Sequence, residues 1–263
     1  MKIFGVIPAR FASERFPGKM LADICGKPMI QHVYERSKKT KLLNDIFVAT
    51  DAKQIYNVVK SFGGNVVMTS KRHKSGTDRI AEAVKNLDVD IVANIPGDEP
   101  LIMSEMIDKA ISPMIKDMSI VMSTLANVVE KKSELLNPNT AKIVLDKNNF
   151  ALYFSRLPIP YLRDAPKDPL REFTYAPVRL RRTVRGFTFY KHIGVYVYTK
   201  KFLLAFTKMK QSSLEIAEKL EQLRVLENGY KIKVVKTKYK SIPVDILEDL
   251  ERVKRLIIGG YRG

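Results

Sequence analysis

The feature that most constrains this fold is the alternation of short apolar runs with amphipathic segments over the first hundred residues. The apolar runs predict strands at residues 3–7, 45–50, 65–69 and 90–95. Residues 52–62 place apolar side chains at helical spacing, and Gly63-Gly64 is expected to end that helix. Strands that alternate with helices of this length are typical of βαβ units, whose right-handed crossovers build a mainly parallel sheet. The first hundred residues therefore predict a Rossmann-like half.

The pattern changes after about residue 117. The sequence there predicts strands at residues 119–128, 142–146, 150–154 and 192–198, with a hairpin turn at Lys147-Asn148-Asn149. Helices at 200–209, 213–227 and 247–257, with a strand at 231–236, indicate a return to α/β structure. We predict an α/β chain with a mainly parallel central sheet, helices on both faces and a smaller mixed part.

Composition limits the class of protein. The chain has 263 residues, of which 45% are hydrophobic and 28% charged, as is usual for a soluble globular protein. No apolar run approaches the roughly 20 residues of a membrane span, and the N-terminus begins as a strand instead of a signal peptide. The single cysteine, Cys25, cannot form an internal disulfide. We therefore expect a cytoplasmic protein without membrane insertion.

The net charge of +18 favours acidic partners, such as nucleotides, acidic sugars, nucleic acid or anionic membranes. Residues 163–191 carry eight basic and three acidic side chains, either as a solvated surface or as a segment that attracts anionic substrate. A basic nucleic-acid-binding α/β protein is one interpretation of the charge. The chain lacks the clustered aromatic and basic platform on which single strands stack, so we expect no specific nucleic-acid partner.

The first predicted strand leads into a basic loop of small residues. Pro8 is expected to end the strand, because proline cannot donate to a sheet ladder. Arg10, Arg15 and Lys19 follow closely, and Ser13 lies between them, so the loop could bind a polyphosphate through charge and backbone amides. The residue types alone fit a solvated loop equally well. The position favours an anion site, because ligands of open parallel sheets bind beyond the carboxyl ends of the strands.

Two aspartates occupy comparable positions. Asp98 follows the fourth predicted strand in Gly97-Asp98-Glu99-Pro100, and Asp245 lies between the last strand and the terminal helix. Oxygen ligands beside a phosphate site suit Mg²⁺, which completes its shell with water and substrate phosphate. Each aspartate is also consistent with a helix cap or a turn. The loop at residues 74–79 could present further backbone amides to an anion.

The later part of the chain offers five more candidates. Arg156 ends an apolar strand, where its guanidinium suits bidentate capture of a carboxylate. His192 opens another strand, as a structural histidine or as a partner for a substrate hydroxyl. Glu218, Glu221 and Gln222 share one side of the predicted 213–227 helix, for which a solvated polar face is the default interpretation.

Eight short motifs occur along the chain. They are Ile7-Pro8-Ala9-Arg10, Arg15-Phe16-Pro17-Gly18-Lys19, Gly26-Lys27-Pro28-Met29-Ile30, Ser75-Gly76-Thr77-Asp78-Arg79, Gly97-Asp98-Glu99-Pro100, Ala151-Leu152-Tyr153-Phe154-Ser155-Arg156, Lys191-His192-Ile193-Gly194 and Leu220-Glu221-Gln222-Leu223-Arg224. In this order they resemble the 3-deoxy-manno-octulosonate cytidylyltransferases, or CMP-Kdo synthetases, over nearly the whole chain. The basic-loop motifs occur in many sugar nucleotidyltransferases, whereas the last three motifs together are specific to this family.

The resemblance implies a Rossmann-like nucleotidyltransferase fold in a single domain over residues 1–263. Its CTP-binding half would span about 1–116, a smaller mixed part for dimerisation and sugar binding about 117–200, and a C-terminal α/β return 201–263. The implied reaction couples CTP to the sugar acid Kdo and yields CMP-Kdo and pyrophosphate for lipopolysaccharide synthesis. The implied cofactor is Mg²⁺ and the implied assembly is a homodimer. The same chemistry on 8-amino-Kdo, or on a sialic acid, is the alternative.

The resemblance also implies roles for single residues. Arg10, Ser13 and Lys19 would bind the triphosphate, Ser75 and Arg79 the nucleotide base, Asp98 and Asp245 the Mg²⁺, and Arg156, His192, Glu221 and Gln222 the sugar acid; Arg10, Lys19 and Asp98 would be catalytic. Two positions depart from the family pattern. Pro96 replaces a glutamine that the family usually has, and Ile246-Leu247 replaces a Thr-Pro turn after Asp245.

Overall fold

The structure is a computed structural model that describes residues 1–12, 16–163, 187–240 and 242–261. Its strands are β1 (Ile3–Ala9), β2 (Asp23–Ile24), β3 (Lys27–Pro28), β4 (Asp45–Thr50), β5 (Val66–Met68), β6 (Ile91–Asn94), β7 (Met122–Val128), β8 (Lys142–Leu145), β9 (Ala151–Ser155), β10 (Tyr190–Thr199) and β11 (Lys233–Lys236). Its α-helices are α1 (Met29–Ser37), α2 (Lys53–Ser61), α3 (Gly76–Val84), α4 (Ser104–Lys116), α5 (Lys132–Leu136), α6 (Lys200–Phe206), α7 (Ser213–Glu218), α8 (Gln222–Glu227) and α9 (Leu247–Ile258). A short 3-10 helix covers Lys19–Leu21.

Nine of these strands form one sheet, whose main path runs β11-β7-β10-β6-β1-β4-β5. The pairs of β1 with β4 and β6, of β4 with β5, and of β7 with β11 are parallel. β10 lies antiparallel between β6 and β7, and the β8–β9 hairpin joins the sheet through the first residues of β10. The predicted α/β architecture with a mainly parallel sheet is therefore confirmed, and the later strands extend the same sheet.

Helices cover both faces of the sheet. One face packs against buried side chains of α1, α2, α4 and α9, and the other against α3, α6 and α8. β1 contributes to both layers, since Ile7 faces one and Val6 the other, and both side chains are fully buried. This double coverage explains why the first strand is a continuous apolar run.

Three local predictions were wrong. Pro8 does not end β1, because the strand continues to Ala9 and Pro8 pairs with Ala49 of β4. The segment at 213–227 forms two helices instead of one, which separate at Lys219 in the left-handed conformation. The helical spacing of the apolar residues at 80–87 predicts that Leu87 packs inward, but 36% of its surface is exposed.

Helix α4 is absent from the sequence-based prediction. It packs buried side chains at helical spacing against β7, among them Met106, Ala110 and Met114, and it contains Pro113 near its end. A proline in a helix interior normally removes a hydrogen bond, and it is tolerated here in the last turn. In the described part of the chain, no helix is long and apolar enough to cross a membrane. The cytoplasmic location stays a prediction.

Candidate active site

A cleft of about 530 Å³ lies at the carboxyl ends of β1 and β6, beside the first turn of α3. Its lining residues are Pro8, Ala9, Arg10, Lys19, Met20, His73, Lys74, Ser75, Gly76, Arg79, Pro96, Gly97, Asp98 and Asp245. The structure thus brings together six residues that the sequence nominated, namely Arg10, Lys19, Ser75, Arg79, Asp98 and Asp245. Ser13, the seventh nominated residue of the nucleotide side, lies outside the described residues.

Lys19 connects the two nominated aspartates. Its ammonium nitrogen donates to Asp98 Oδ2 at 2.7 Å and to Asp245 Oδ1 at 3.4 Å, and also to the Val244 carbonyl at 3.0 Å. Only 8% of the Lys19 surface is exposed. A charged hydrogen bond in such a sheltered place is stronger than one in water. One buried cation therefore draws both carboxylates to the same point of the cleft wall.

The altered turn after Asp245 is closed by another aspartate. Asp249 Oδ2 accepts hydrogen bonds from the backbone N–H groups of Asp245, at 3.0 Å, and Ile246, at 3.2 Å. The Val244 N–H donates to the Asp98 carbonyl at 2.8 Å, which joins this turn to the loop after β6. Replacement of Thr-Pro by Ile246-Leu247 therefore leaves the Asp245 carboxylate at the cleft.

The aspartate pair fits a Mg²⁺ ion that takes its other ligands from substrate and water. Among the described residues, no three His, Cys, Asp or Glu side chains are grouped so that they could hold a metal ion by themselves. Mg²⁺ is usually bound through one or two carboxylates, with phosphate oxygens and water completing the shell. Two carboxylates that already share one cation meet this requirement.

Glycines allow the loops around the cleft to approach closely. A Cβ atom on Gly97 would lie 3.1 Å from the Pro8 carbonyl oxygen and 3.2 Å from Met20 Sδ. Gly18 precedes the 3-10 helix of Lys19 with φ at 71°, a conformation that side chains disfavour. These two positions bring the loops after β1 and β6 together, so that Lys19 reaches Asp98.

Ser75 and Arg79 shape the wall opposite the aspartates. Ser75 caps α3, because its hydroxyl accepts a hydrogen bond from the Asp78 N–H at 3.1 Å. The buried Arg79 guanidinium donates to Thr69 Oγ1 at 2.5 Å and to Asp51 Oδ2 at 2.8 Å. The predicted loop at 74–79 is therefore mostly the first turn of a helix, and Arg79 ties that turn to the ends of β4 and β5.

The four nominated sugar residues do not line this cleft. Glu221 is bonded to the helix that borders the cleft, since Glu221 Oε2 accepts a hydrogen bond from Thr77 Oγ1 in the first turn of α3 at 2.6 Å. Burial raises the pKa of the Glu221 carboxyl, although the hydroxyl of Thr77 and the charge of Arg224 oppose this effect. Gln222 is buried, and its Nε2 has no hydrogen-bond partner in the described structure.

His192 lies inside the sheet with one defined partner. Its Nε2 is 2.9 Å from Thr124 Oγ1, and the same hydroxyl lies 2.8 Å from the Val195 carbonyl and 3.2 Å from the Ile193 carbonyl. Burial lowers the pKa of His192 to about 3, so the imidazole is neutral at physiological pH.

Arg156 binds main-chain oxygens. Its Nε donates to the Glu218 carbonyl at 2.6 Å, Nη1 to the Pro138 carbonyl at 2.8 Å and Nη2 to the Lys219 carbonyl at 3.2 Å. A guanidinium has five N–H groups, so two have no acceptor among the described residues. Arg156 thus joins β9 to the end of α7 and to the loop before β8.

The sequence analysis missed a buried cation beside Arg156, namely Lys142. Lys142 Nζ donates to the carbonyls of Asn137, at 2.9 Å, and Thr140, at 2.5 Å. Burial, and then the positive charge of Arg156, lowers the pKa of Lys142 to about 8.

The sequence analysis also gave no role to the side chains of Thr77, His73 and Lys74. Their one sequence signal was position, because they flank or belong to the nominated loop.

Comparisons with known proteins agree with this geometry. The sequence profile of the cytidylyltransferase family matches residues 4–234. A 3-deoxy-manno-octulosonate cytidylyltransferase of Geobacter metallireducens is 51% identical over 96% of both chains. One of Geotalea uraniireducens is 52% identical over 96% of this chain and 98% of its own. A solved CMP:2-keto-3-deoxy-manno-octonic acid synthetase in complex with CTP is 36% identical, with a TM-score of 0.88 over 98% of this chain and 99% of that chain.

Proposed function

Since the chain belongs to the family of 3-deoxy-manno-octulosonate cytidylyltransferases, we propose that its cleft binds the triphosphate of CTP. The enzyme activates the sugar acid Kdo with CTP and releases CMP-Kdo and pyrophosphate, a step that the family places in lipopolysaccharide synthesis. The observation that carries the assignment of the site is the Lys19 ammonium between Asp98 and Asp245 at the strand ends. It is supported by the position of Arg10 and the N-terminus of α3 in the same cleft.

The residues of the cleft bind and orient the nucleotide. Arg10 and Lys19, with Ser13 of the same loop, offset negative charge on the triphosphate, and Ser75 and Arg79 form the side that faces the base. The anomeric hydroxyl of the sugar attacks the α-phosphorus in line with the departing pyrophosphate, so no covalent enzyme intermediate is needed. Asp98 and Asp245 would bind Mg²⁺, which supplies Lewis-acid stabilisation of charge on the phosphate oxygens.

The sugar acid is proposed to lie toward Glu221 and Gln222. Glu221 is bonded to Thr77 at the edge of the nucleotide cleft, and Gln222 has an amide nitrogen without a protein partner in the described residues. A buried donor of this kind costs free energy unless a ligand or water satisfies it. Arg156, two of whose N–H groups have no acceptor in the described part of the chain, and His192 complete the proposed sugar side.

A homodimer is also proposed. The side chains of Leu152, Leu157 and Tyr161 on and after β9 are exposed by 61%, 70% and 85%. Neighbouring apolar side chains with this exposure are typical of a protein interface. They lie in the part of the chain, about 117–200, for which the family resemblance implies dimer contacts.

Pyrophosphate release tests the function. The purified protein is incubated with CTP, Mg²⁺ and, in parallel, Kdo, 8-amino-Kdo or a sialic acid. We expect the highest kcat/KM with Kdo, with release that requires both substrates. Faster turnover of 8-amino-Kdo would reassign the sugar within the same chemistry. Absence of release with every sugar acid would reject the proposed function.

A further inference from the structure

The break between α7 and α8 is a strained feature. Lys219 adopts φ 53° and ψ 43°, the left-handed conformation that residues with a side chain rarely adopt. A left-handed residue without glycine costs on the order of 1 kcal/mol or more and persists where the surroundings determine it. The contacts on either side of Lys219 must therefore stabilise the turn.

Glu218 and Arg156 hold this turn in place through hydrogen bonds in both directions. The Glu218 carboxylate accepts from Ser155 Oγ at 2.7 Å and from the Arg156 N–H at 2.9 Å. In return, the Arg156 guanidinium donates to the carbonyls of Glu218 and Lys219, which are the last acceptors of α7. These four hydrogen bonds fix the end of α7 against the buried end of β9.

The turn decides where Glu221 and Gln222 lie. Each residue of a continuous helix rotates about 100° from the one before, so an unbroken 213–227 helix would direct these side chains elsewhere. In the structure, the left-handed residue redirects the chain. Glu221 reaches Thr77 at the start of α3, and Gln222 enters the protein with an unpartnered Nε2 among the described residues.

We propose that Glu218 is a positioning residue for the sugar acid: with Arg156 it fixes the left-handed turn at Lys219 and so presents Glu221 and Gln222 to the substrate. This inference rests on the proposed function, because it concerns the sugar side of that site. Glu218 itself contacts Ser155 and Arg156, and its carboxylate is satisfied within the protein.

The chain offers a matched control. Glu227, at the end of α8, likewise accepts a serine hydroxyl, Ser213 Oγ at 2.8 Å, and a backbone N–H, that of Leu214 at 3.0 Å, with Ser212 and Glu215 also interacting with its carboxylate. Replacement of either glutamate by glutamine therefore removes one negative charge and leaves one acceptor oxygen where the carboxylate has two. Glu227 lies at the outer side of the same two helices, beside the first turn of α7.

The experiment compares Glu218→Gln with Glu227→Gln by KM and kcat for each substrate in the pyrophosphate assay. We expect Glu218→Gln to raise KM for Kdo about tenfold, which corresponds to about 1.4 kcal/mol. KM for CTP should stay within about twofold of wild type, and Glu227→Gln should leave both values unchanged. Lys219→Gly in the Glu218→Gln background should recover part of the KM for Kdo, because glycine adopts positive φ without strain.

The inference fails if Glu218→Gln and Glu227→Gln have the same KM for Kdo, or if KM for CTP rises as much as KM for Kdo. Circular dichroism and thermal unfolding show whether each variant is folded. If Glu218→Gln is unfolded, Glu218→Asp against Glu227→Asp gives the same comparison with the charge retained. A wild-type enzyme that releases no pyrophosphate with any sugar acid would reject the proposed function instead.

Discussion

Single residues in the cleft combine structural and chemical roles, and Lys19 is the clearest case. Its ammonium offsets part of the negative charge of the aspartate pair, and the same cation is proposed to bind phosphate. Asp98, Asp245 and Lys19 are therefore coupled, so a change in one alters the charge balance of the others.

Asp98→Asn and Asp245→Asn test the proposed metal ligands. Each change removes one negative charge with little change of volume, so we expect turnover to fall roughly a hundredfold while the fold is kept. The Mg²⁺ concentration for half-maximal activity should rise. Steady-state kinetics over a Mg²⁺ titration, with circular dichroism, measures both effects.

Asp108→Asn serves as the control, because Asp108 accepts backbone N–H groups of Lys41 and Leu42 outside the cleft. It should leave turnover unchanged. Activity of Asp245→Asn near that of wild type at limiting Mg²⁺ would exclude Asp245 as a metal ligand.

His192 predicts a pH dependence of stability. Its pKa is about 3 in the folded protein because of burial, against an ordinary value of 6.5. The unfolded chain binds a proton below pH 6.5 and the folded chain does not, so this contribution to stability is lost as pH falls from about 6.5 toward 3. The free energy of unfolding should fall by up to ~1.4 kcal/mol per pH unit from this residue alone.

Urea unfolding at several pH values between about 7 and 4 measures this slope in wild type and in His192→Gln. We expect a shallower pH dependence in the variant. His32→Gln, which alters a histidine bonded to the Ile24 carbonyl, is the control for general loss of a histidine. Identical slopes for wild type and His192→Gln would show that His192 does not stay neutral in the folded protein.

At the scale of elements, the strand-to-helix junctions place the site. The ends of β1 and β6 bring Lys19 to Asp98, and the capped start of α3 brings Ser75 and Thr77 beside them. The end of β9 positions the proposed sugar side, because Arg156 connects β9 by hydrogen bonds to the end of α7 and to the loop before β8.

Arg156→Lys tests the junction at β9. An ammonium cannot reproduce the planar fork that serves three carbonyls and leaves two N–H groups for a carboxylate. Charged hydrogen bonds are worth roughly 1.5–3 kcal/mol each, so kcat/KM for the sugar acid should fall by about one to two orders of magnitude. Separate titrations of CTP and sugar acid should show a nearly constant KM for CTP.

Arg252→Lys, on the exposed side of α9, is the matched control and should behave as wild type. Equal losses for CTP and sugar acid in Arg156→Lys would mean that Arg156 serves the nucleotide or the fold instead. Thermal unfolding distinguishes these two possibilities.

At the scale of the whole molecule, one sheet contains strands from both the earlier and the later parts of the chain. The strands of the first hundred residues and those after residue 117 share a continuous ladder through β10, which pairs with β6 on one side and β7 on the other. The backbone hydrogen bond from the Val244 N–H to the Asp98 carbonyl joins the segment of Asp245 to the loop after β6. Within the basic 163–191 segment, residues 164–186 lie outside the described residues. They include Arg179 and Arg185, and the role of these basic side chains stays a prediction.

The sequence by itself determined the main helices and strands, and those functional residues that lie close together in the chain. Periodicity located β1, β4 and α2, because burial of one face imposes a pattern on neighbouring residues. The family resemblance named six of the residues that line the cleft. Glu218 showed no signal beyond a polar helix face, because its partners Ser155 and Arg156 are distant in sequence.

Only the tertiary structure decided the long-range contacts. Lys19 and Asp245 are 226 residues apart, and no local pattern records their contact. The left-handed Lys219 depends on Glu218 and Arg156, which override the helical propensity of residues 213–227. The physical reason is the same in both cases: charge and hydrogen bonding between distant segments outweigh local preferences of about 1 kcal/mol or less per residue.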